Sequence, residues 1–87
     1  MSDPNMSSGS IYVGYADGAS RHTRNIASTT WVIYLPSGQL LSAGGSFLGP
    51  ATNKLVAYSA VTELLVDAIR HGIDHLIVNL DSQLVVS

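Results

Sequence analysis

Two aspartates, Asp17 and Asp81, each follow an apolar run rich in β-branched or aromatic residues. Ile11-Tyr12-Val13-Gly14-Tyr15-Ala16 precedes the first and Leu76-Ile77-Val78-Asn79-Leu80 the second. Runs of this kind read as strands with both faces covered. In the first, Ile11, Val13 and Tyr15 share one side, and Tyr12, Gly14 and Ala16 the other. Asp17-Gly18 is expected to end it. If the two strands are parallel neighbours, each delivers a carboxylate at its carboxyl end, a rim where ligands approach. The chemistry this suggests is a divalent-metal site. Each aspartate alone also has a plainer reading: Asp17 as a turn residue, Asp81 as a helix cap.

Other chemistries find little support. The chain has 87 residues and no cysteine, which removes disulfides, thiolate nucleophiles and zinc–thiolate sites. Ser20, Ser59 and Ser82 have no base nearby in sequence. His22, His71 and His75 do not fall on one face as metal ligands would. Gly14 and Gly18 make only half of a dinucleotide fingerprint, with no helix following directly. Tyr12, Tyr15, Tyr34 and Tyr58 are expected in core packing rather than base stacking. A net charge of −2 gives no global attraction to nucleic acid. No apolar run approaches a membrane span, and the N-terminus lacks a basic-then-apolar signal, so an intracellular location is the expectation. Hydrophobic residues make up 46% of the chain and charged residues 11%, which on so small a body implies burial against a further segment or a second copy.

The elements that must position the aspartates follow in order. Residues 1–10 (MSDPNMSSGS) are polar and read as a flexible leader, leaving 11–87 as the folding unit. Gly18 to Asn25 reads as a loop leaving the first strand, either touching phosphates through Arg21 and Arg24 or forming a solvated turn. Ile26 to Leu35 and Gln39 to Phe47 form a hairpin about Pro36-Ser37-Gly38. Gly44-Gly45 interrupts the returning strand, as at a bulge or a close backbone approach. Trp31 is expected in the core or on a sheet face.

Thr52 or Asn53 then caps an amphipathic helix that ends at Gly72. Its apolar stripe is Ala57, Val61, Leu64 and Ala68. Tyr58, Leu65 and Ile69 run beside that stripe, while Glu63, Asp67 and Arg70 lie away from it. His75 to Leu80 is the last strand. Asp81-Ser82 opens a second helix that has made about one turn by Ser87, against a usual length of about 10–14 residues. The expectation is therefore the N-terminal part of a larger domain, or a domain completed by another chain. The fold class is α/β, a mixed sheet in which the long helix crosses over, right-handed, to a strand parallel to the first.

Three segments together resemble type 1 ribonuclease H domains. Tyr15-Ala16-Asp17-Gly18-Ala19-Ser20 is similar to the first-strand motif of that family. Leu48-Gly49-Pro50-Ala51-Thr52-Asn53 with Ala57-Tyr58-Ser59-Ala60 resembles the entry and first turns of its main helix. Leu80-Asp81-Ser82-Gln83-Leu84-Val85-Val86 resembles its fourth strand and next helix. The matches come in the right order and span residues 11–87, with a flavour closest to plant retrotransposon polyproteins.

The resemblance implies hydrolysis of the RNA strand of an RNA–DNA hybrid, with four acidic residues holding two Mg²⁺ (or Mn²⁺) ions. Asp17 matches the first acid and Asp81 the third, so these two are the expected catalytic and metal-holding residues. Gly18, Ala19, Ser20, Arg21, Asn53 and Ser82 are the expected nucleic-acid contacts. The second acid, a glutamate before the helix tyrosine, is replaced by Ala57. Glu63, six residues on, is rotated by about 240° around the helix and does not look like a substitute. The fourth acid of the family would lie beyond Ser87, and its Gly/Pro-rich turn after the first strand is replaced by Arg21-His22-Thr23-Arg24.

Three functions compete on these grounds. The chain is a catalytically impaired RNase H-like domain that binds nucleic acid. Or it is an active fragment that recruits acids from Glu63 or a partner chain. Or it is an interaction module forming a homodimer through the unpaired edge at Leu76 to Leu80, where the family has a fifth strand.

Overall fold

The computed structural model describes residues 10–21 and 26–81. The leader expected over 1–10 therefore lies, except for residue 10, outside the described residues. So do the second helix expected from Ser82 and residues 22–25 of the expected loop.

Four strands and one helix are described: β1 (Tyr12–Arg21), β2 (Ile26–Tyr34), β3 (Leu40–Leu48), α1 (Asn53–Arg70) and β4 (Leu76–Asp81). The sheet order is β3-β2-β1-β4. β2 pairs antiparallel with both β1 and β3, and β4 pairs parallel with β1. This is the expected mixed sheet. A connection through α1 brings β4 back beside β1 in the same direction, which a tight turn cannot do.

β1 differs from expectation at its end. It does not stop at Asp17-Gly18 but runs on to Arg21, paired with β2 as far as Arg21 opposite Ile26. Asp-Gly is a turn signal only when the chain is free to turn. Here the long β2 supplies ladder partners for every residue from Gly18 to Arg21, and cross-strand pairing overrides the local preference.

The hairpin turns at Pro36-Ser37-Gly38, with Gly38 at φ 98° and its N–H donating to Leu35 O at 2.8 Å. Gly44 and Gly45 do not interrupt β3. The irregularity lies instead opposite Ile33/Tyr34, where Leu41 is the extra residue. The glycines mark close approaches: a Cβ on Gly44 would meet the Trp31 ring, and one on Gly45 the carbonyl of Thr29.

α1 begins at Thr52, whose hydroxyl accepts from Leu55 N at 3.2 Å. It ends at His71, followed by Gly72 at φ 69°. That is the N-cap and left-handed glycine stop expected from the sequence. The core joins Ala16 and Ile33 of the sheet to Ala60, Leu64 and Ala68 of the helix, with Tyr12, Trp31, Leu76 and Val78 packed around them.

The buried face of α1 is the expected stripe: Ala57, Leu64 and Ala68 are buried and Val61 packs against the core. Val56, Ala57, Ala60, Leu64, Asp67 and Ala68 are buried, whereas Tyr58 is 75% exposed and Leu65 and Ile69 are exposed. Tyr58 is therefore not a core residue. The stripe widens at its margin to take in Val56 and Ala60, while the flanking Tyr58, Leu65 and Ile69 stay outside. Ala57 and Ala60 let the helix settle close to a β1 whose facing positions are Gly14, Ala16 and Gly18. Asp67 is carried inward at the helix end, with Oδ2 3.3 Å from His71 Nδ1.

Candidate functional site

β1 presents two faces. A Cβ on Gly14 would meet Leu64 at 3.0 Å. One on Gly18 would meet Val56 Cγ1 at 2.7 Å and the Ala57 backbone nitrogen at 3.0 Å. Gly14 and Gly18 therefore face α1, and alternation along the strand turns Val13, Tyr15 and Asp17 to the opposite face. Asp17 is exposed there. It helps line a hollow of about 180 Å³ with Tyr15, Thr30, Trp31 and Val32. That hollow adjoins a trough of about 660 Å³ that shares Tyr15 and Val32 and extends past Val13 and Tyr34 to the Pro36 turn. The Tyr15 and Tyr34 rings meet edge to face at 5.9 Å.

The parallel ladder of β1 and β4 pairs Asp17 with Asp81 in register. The two aspartates share the last described rung of that ladder, at the corner where β1 runs on past β4. They meet at a rim, as expected, although Asp17 itself lies within its strand.

The helix position six residues before Glu63 lies against this corner from the other side. Ala57 is buried with its backbone nitrogen against Gly18, one residue past Asp17. A methyl group, not a carboxylate, occupies that point. Glu63 is engaged elsewhere: Thr29 Oγ1 donates to its Oε1 at 2.8 Å and Ser46 Oγ to its Oε2 at 2.7 Å. Both carboxylate oxygens are taken up by β2 and β3, on the side of the sheet away from β4. The sequence excluded Glu63 by rotation, and these bonds supply its own task. No signal short of the β2–β3 register could have found them.

Among the described residues no three His, Cys, Asp or Glu side chains gather as a metal cage. Of the expected nucleic-acid contacts, Gly18 and Ala19 lie in β1, as does Ser20, whose hydroxyl donates to Ala51 O at 3.1 Å. That bond ties the strand to the segment leading into α1, where Asn53 forms the first turn with its Oδ1 buried and unpaired among the described residues. The structure thus brings Gly18, Ser20 and Asn53 to one end of the molecule. Arg21 closes β1, and Ser82 lies outside the described residues.

Residues 15–87 match the model of the family described as reverse transcriptase-like. The chain belongs to that family. It is an RNase H-like domain, and its strand order and parallel β1–β4 pair are those of the RNase H fold. It is similar to ribonuclease HI of Halobacterium salinarum, with 38% identity over 71 residues that make up 82% of this chain and 36% of that protein. The crystal structure of RNase H1 from that archaeon superposes with a TM-score of 0.77 at 36% identity, covering 86% of this chain and 57% of the other. The N-terminal RNase H domain of a Mycobacterium tuberculosis protein gives 0.77 at 31% identity, over 87% and 55%. LC11-RNase H1, solved in complex with an RNA/DNA hybrid, gives 0.74 at 28% identity, over 86% and 57%. This RNase H-like domain therefore spans between 36% and 57% of the length of these relatives.

Proposed function

We propose that this RNase H-like domain binds nucleic acid of the RNA–DNA hybrid class and is impaired in cleaving it. The observation that carries the reading is Ala57, buried against Gly18 beside Asp17 where a carboxylate would be needed. LC11-RNase H1, a relative of the same fold, was captured with an RNA/DNA hybrid, which supports the substrate class.

Asp17 and Asp81 are the residues we assign to catalysis and to metal. Mg²⁺ is commonly held by one or two carboxylates, the rest of its shell being water and substrate phosphate oxygens. The pair fits a single Mg²⁺ or Mn²⁺ on that count and falls short of a two-ion cage. When bound, such an ion would polarise a phosphate oxygen and lower the pKa of a coordinated water. The chain's own contribution is positional. β1 and β4 hold the two aspartates on one rung. Gly18, Ala19, Ser20, Arg21, Asn53 and Ser82 are the residues we assign to contact with the phosphate backbone.

The second reading is a non-catalytic module that associates with itself through an open sheet edge. It is favoured by the position of β4 at the margin of the described sheet, with Ile77 exposed.

The deciding experiment is cleavage of a labelled RNA–DNA hybrid with Mg²⁺ or Mn²⁺ by the chain, Asp17→Asn and Ala57→Glu. The expected result is hybrid binding without cleavage beyond that of Asp17→Asn, and a gain in cleavage for Ala57→Glu. Cleavage by the unaltered chain that Asp17→Asn abolishes would overturn the impairment. Failure to bind the hybrid would overturn the substrate class.

A further inference from the structure

The described sheet has two margins, β3 and β4, and they differ in chemistry. β4 is six residues long, carries Asn79 and ends on Asp81. β3 is nine residues, Leu-Leu-Ser-Ala-Gly-Gly-Ser-Phe-Leu, with no charge and no proline. Edge strands of soluble proteins usually carry lysine, proline or a bulge that blocks pairing. Here the one bulge falls at Leu41, which leaves Ser42 to Leu48 unprotected.

We propose that Ser42 to Leu48 of β3 pairs antiparallel with the same segment of a second copy of this chain. The inference is independent of the nuclease reading. Three observations commit it to a second copy. The unprotected segment is centred on Gly45, so a twofold axis there sets Ala43 opposite Phe47 of the second copy, twice. Phe47 is 85% exposed, the most exposed large apolar residue described, and on the partner it would meet only Ala43 and Gly45, which leave room for a ring. The backbone also suits the pairing. Ser46 N–H turns towards β2, donating to Thr29 Oγ1 at 3.0 Å. By the alternation of an antiparallel ladder, Ala43 and Phe47 turn theirs to the open edge.

The helix does not obstruct this. α1 lies mainly over β1 and β2, so the two helices of the pair would stand on the same face about four strand spacings, or about 19 Å, apart. That exceeds a helix diameter of about 10–12 Å.

Sedimentation of the full chain at micromolar concentration, beside Phe47→Lys, Ala43→Lys and Ile77→Lys, tests the proposal. The expected result is the mass of two chains for the unaltered protein and for Ile77→Lys, and of one chain for Phe47→Lys and Ala43→Lys. Both β3 positions are exposed, so circular dichroism should report an unchanged fold. If Phe47→Lys fails to fold, Ala43→Lys decides alone. A single-chain mass for the unaltered protein, a dimer that survives both β3 substitutions, or one dissolved by Ile77→Lys instead would each overturn it.

Discussion

At the scale of single residues, the corner of the molecule is set by what is small. Gly18 lets α1 approach β1 until the Ala57 backbone is in contact with the residue that follows Asp17. A methyl at position 18 would overlap Val56 and the helix backbone together, and backbone cannot swing aside. Gly18→Ala is expected to cost about 1–3 kcal/mol in stability, as overpacking does, measured by chemical denaturation. A Cβ on Gly49 would have nothing within 4 Å, so Gly49→Ala is the control and should stay within about 0.5 kcal/mol. The sequence foresaw a close approach at Gly44-Gly45. Gly18 carried no such warning, because Asp-Gly also reads as a turn.

At the scale of elements, Glu63 bolts the helix to the sheet. Its two carboxylate oxygens accept from Thr29 on β2 and Ser46 on β3, so one side chain ties three elements together. Thr29 is fully buried. Removing the carboxylate costs its hydroxyl this acceptor in a place water does not reach. Glu63→Ala is expected to lose about 2 kcal/mol, the range for a hydrogen bond to a charged group, and Glu63→Gln less, since the amide oxygen still accepts. Thermal unfolding of both variants checks this, and equal losses would mean that packing rather than the bonds is at stake. The helix itself, its Thr52 cap and its Gly72 stop were legible in the sequence, because caps and periodicity are local. So was its stripe of Ala57, Leu64 and Ala68; the inward turn of Asp67, expected away from that stripe, was not.

At the scale of the whole molecule, the proposed metal site would link binding to folding. An ion held by Asp17 and Asp81 would bind the folded chain alone and stabilise it in proportion to ln(1 + [L]/Kd). Millimolar Mn²⁺ is expected to raise Tm modestly for the unaltered chain and not for Asp17→Asn. Ala57→Glu should bind about tenfold more tightly, a gain of about 1.4 kcal/mol. A shift that persists in Asp17→Asn would place the ion elsewhere. By itself, the sequence determined the α/β class, the order of elements and the shared end of the strands carrying Asp17 and Asp81, because strand composition, helix caps and short motifs are written in neighbouring residues. Tertiary structure alone decided that β1 outruns its Asp-Gly signal, that Asp17 faces away from α1, that Glu63 is held by Thr29 and Ser46, and that β3 is the unguarded edge. Each of these depends on which residues meet across strands, and pairing between segments tens of residues apart is fixed by packing rather than by any local preference.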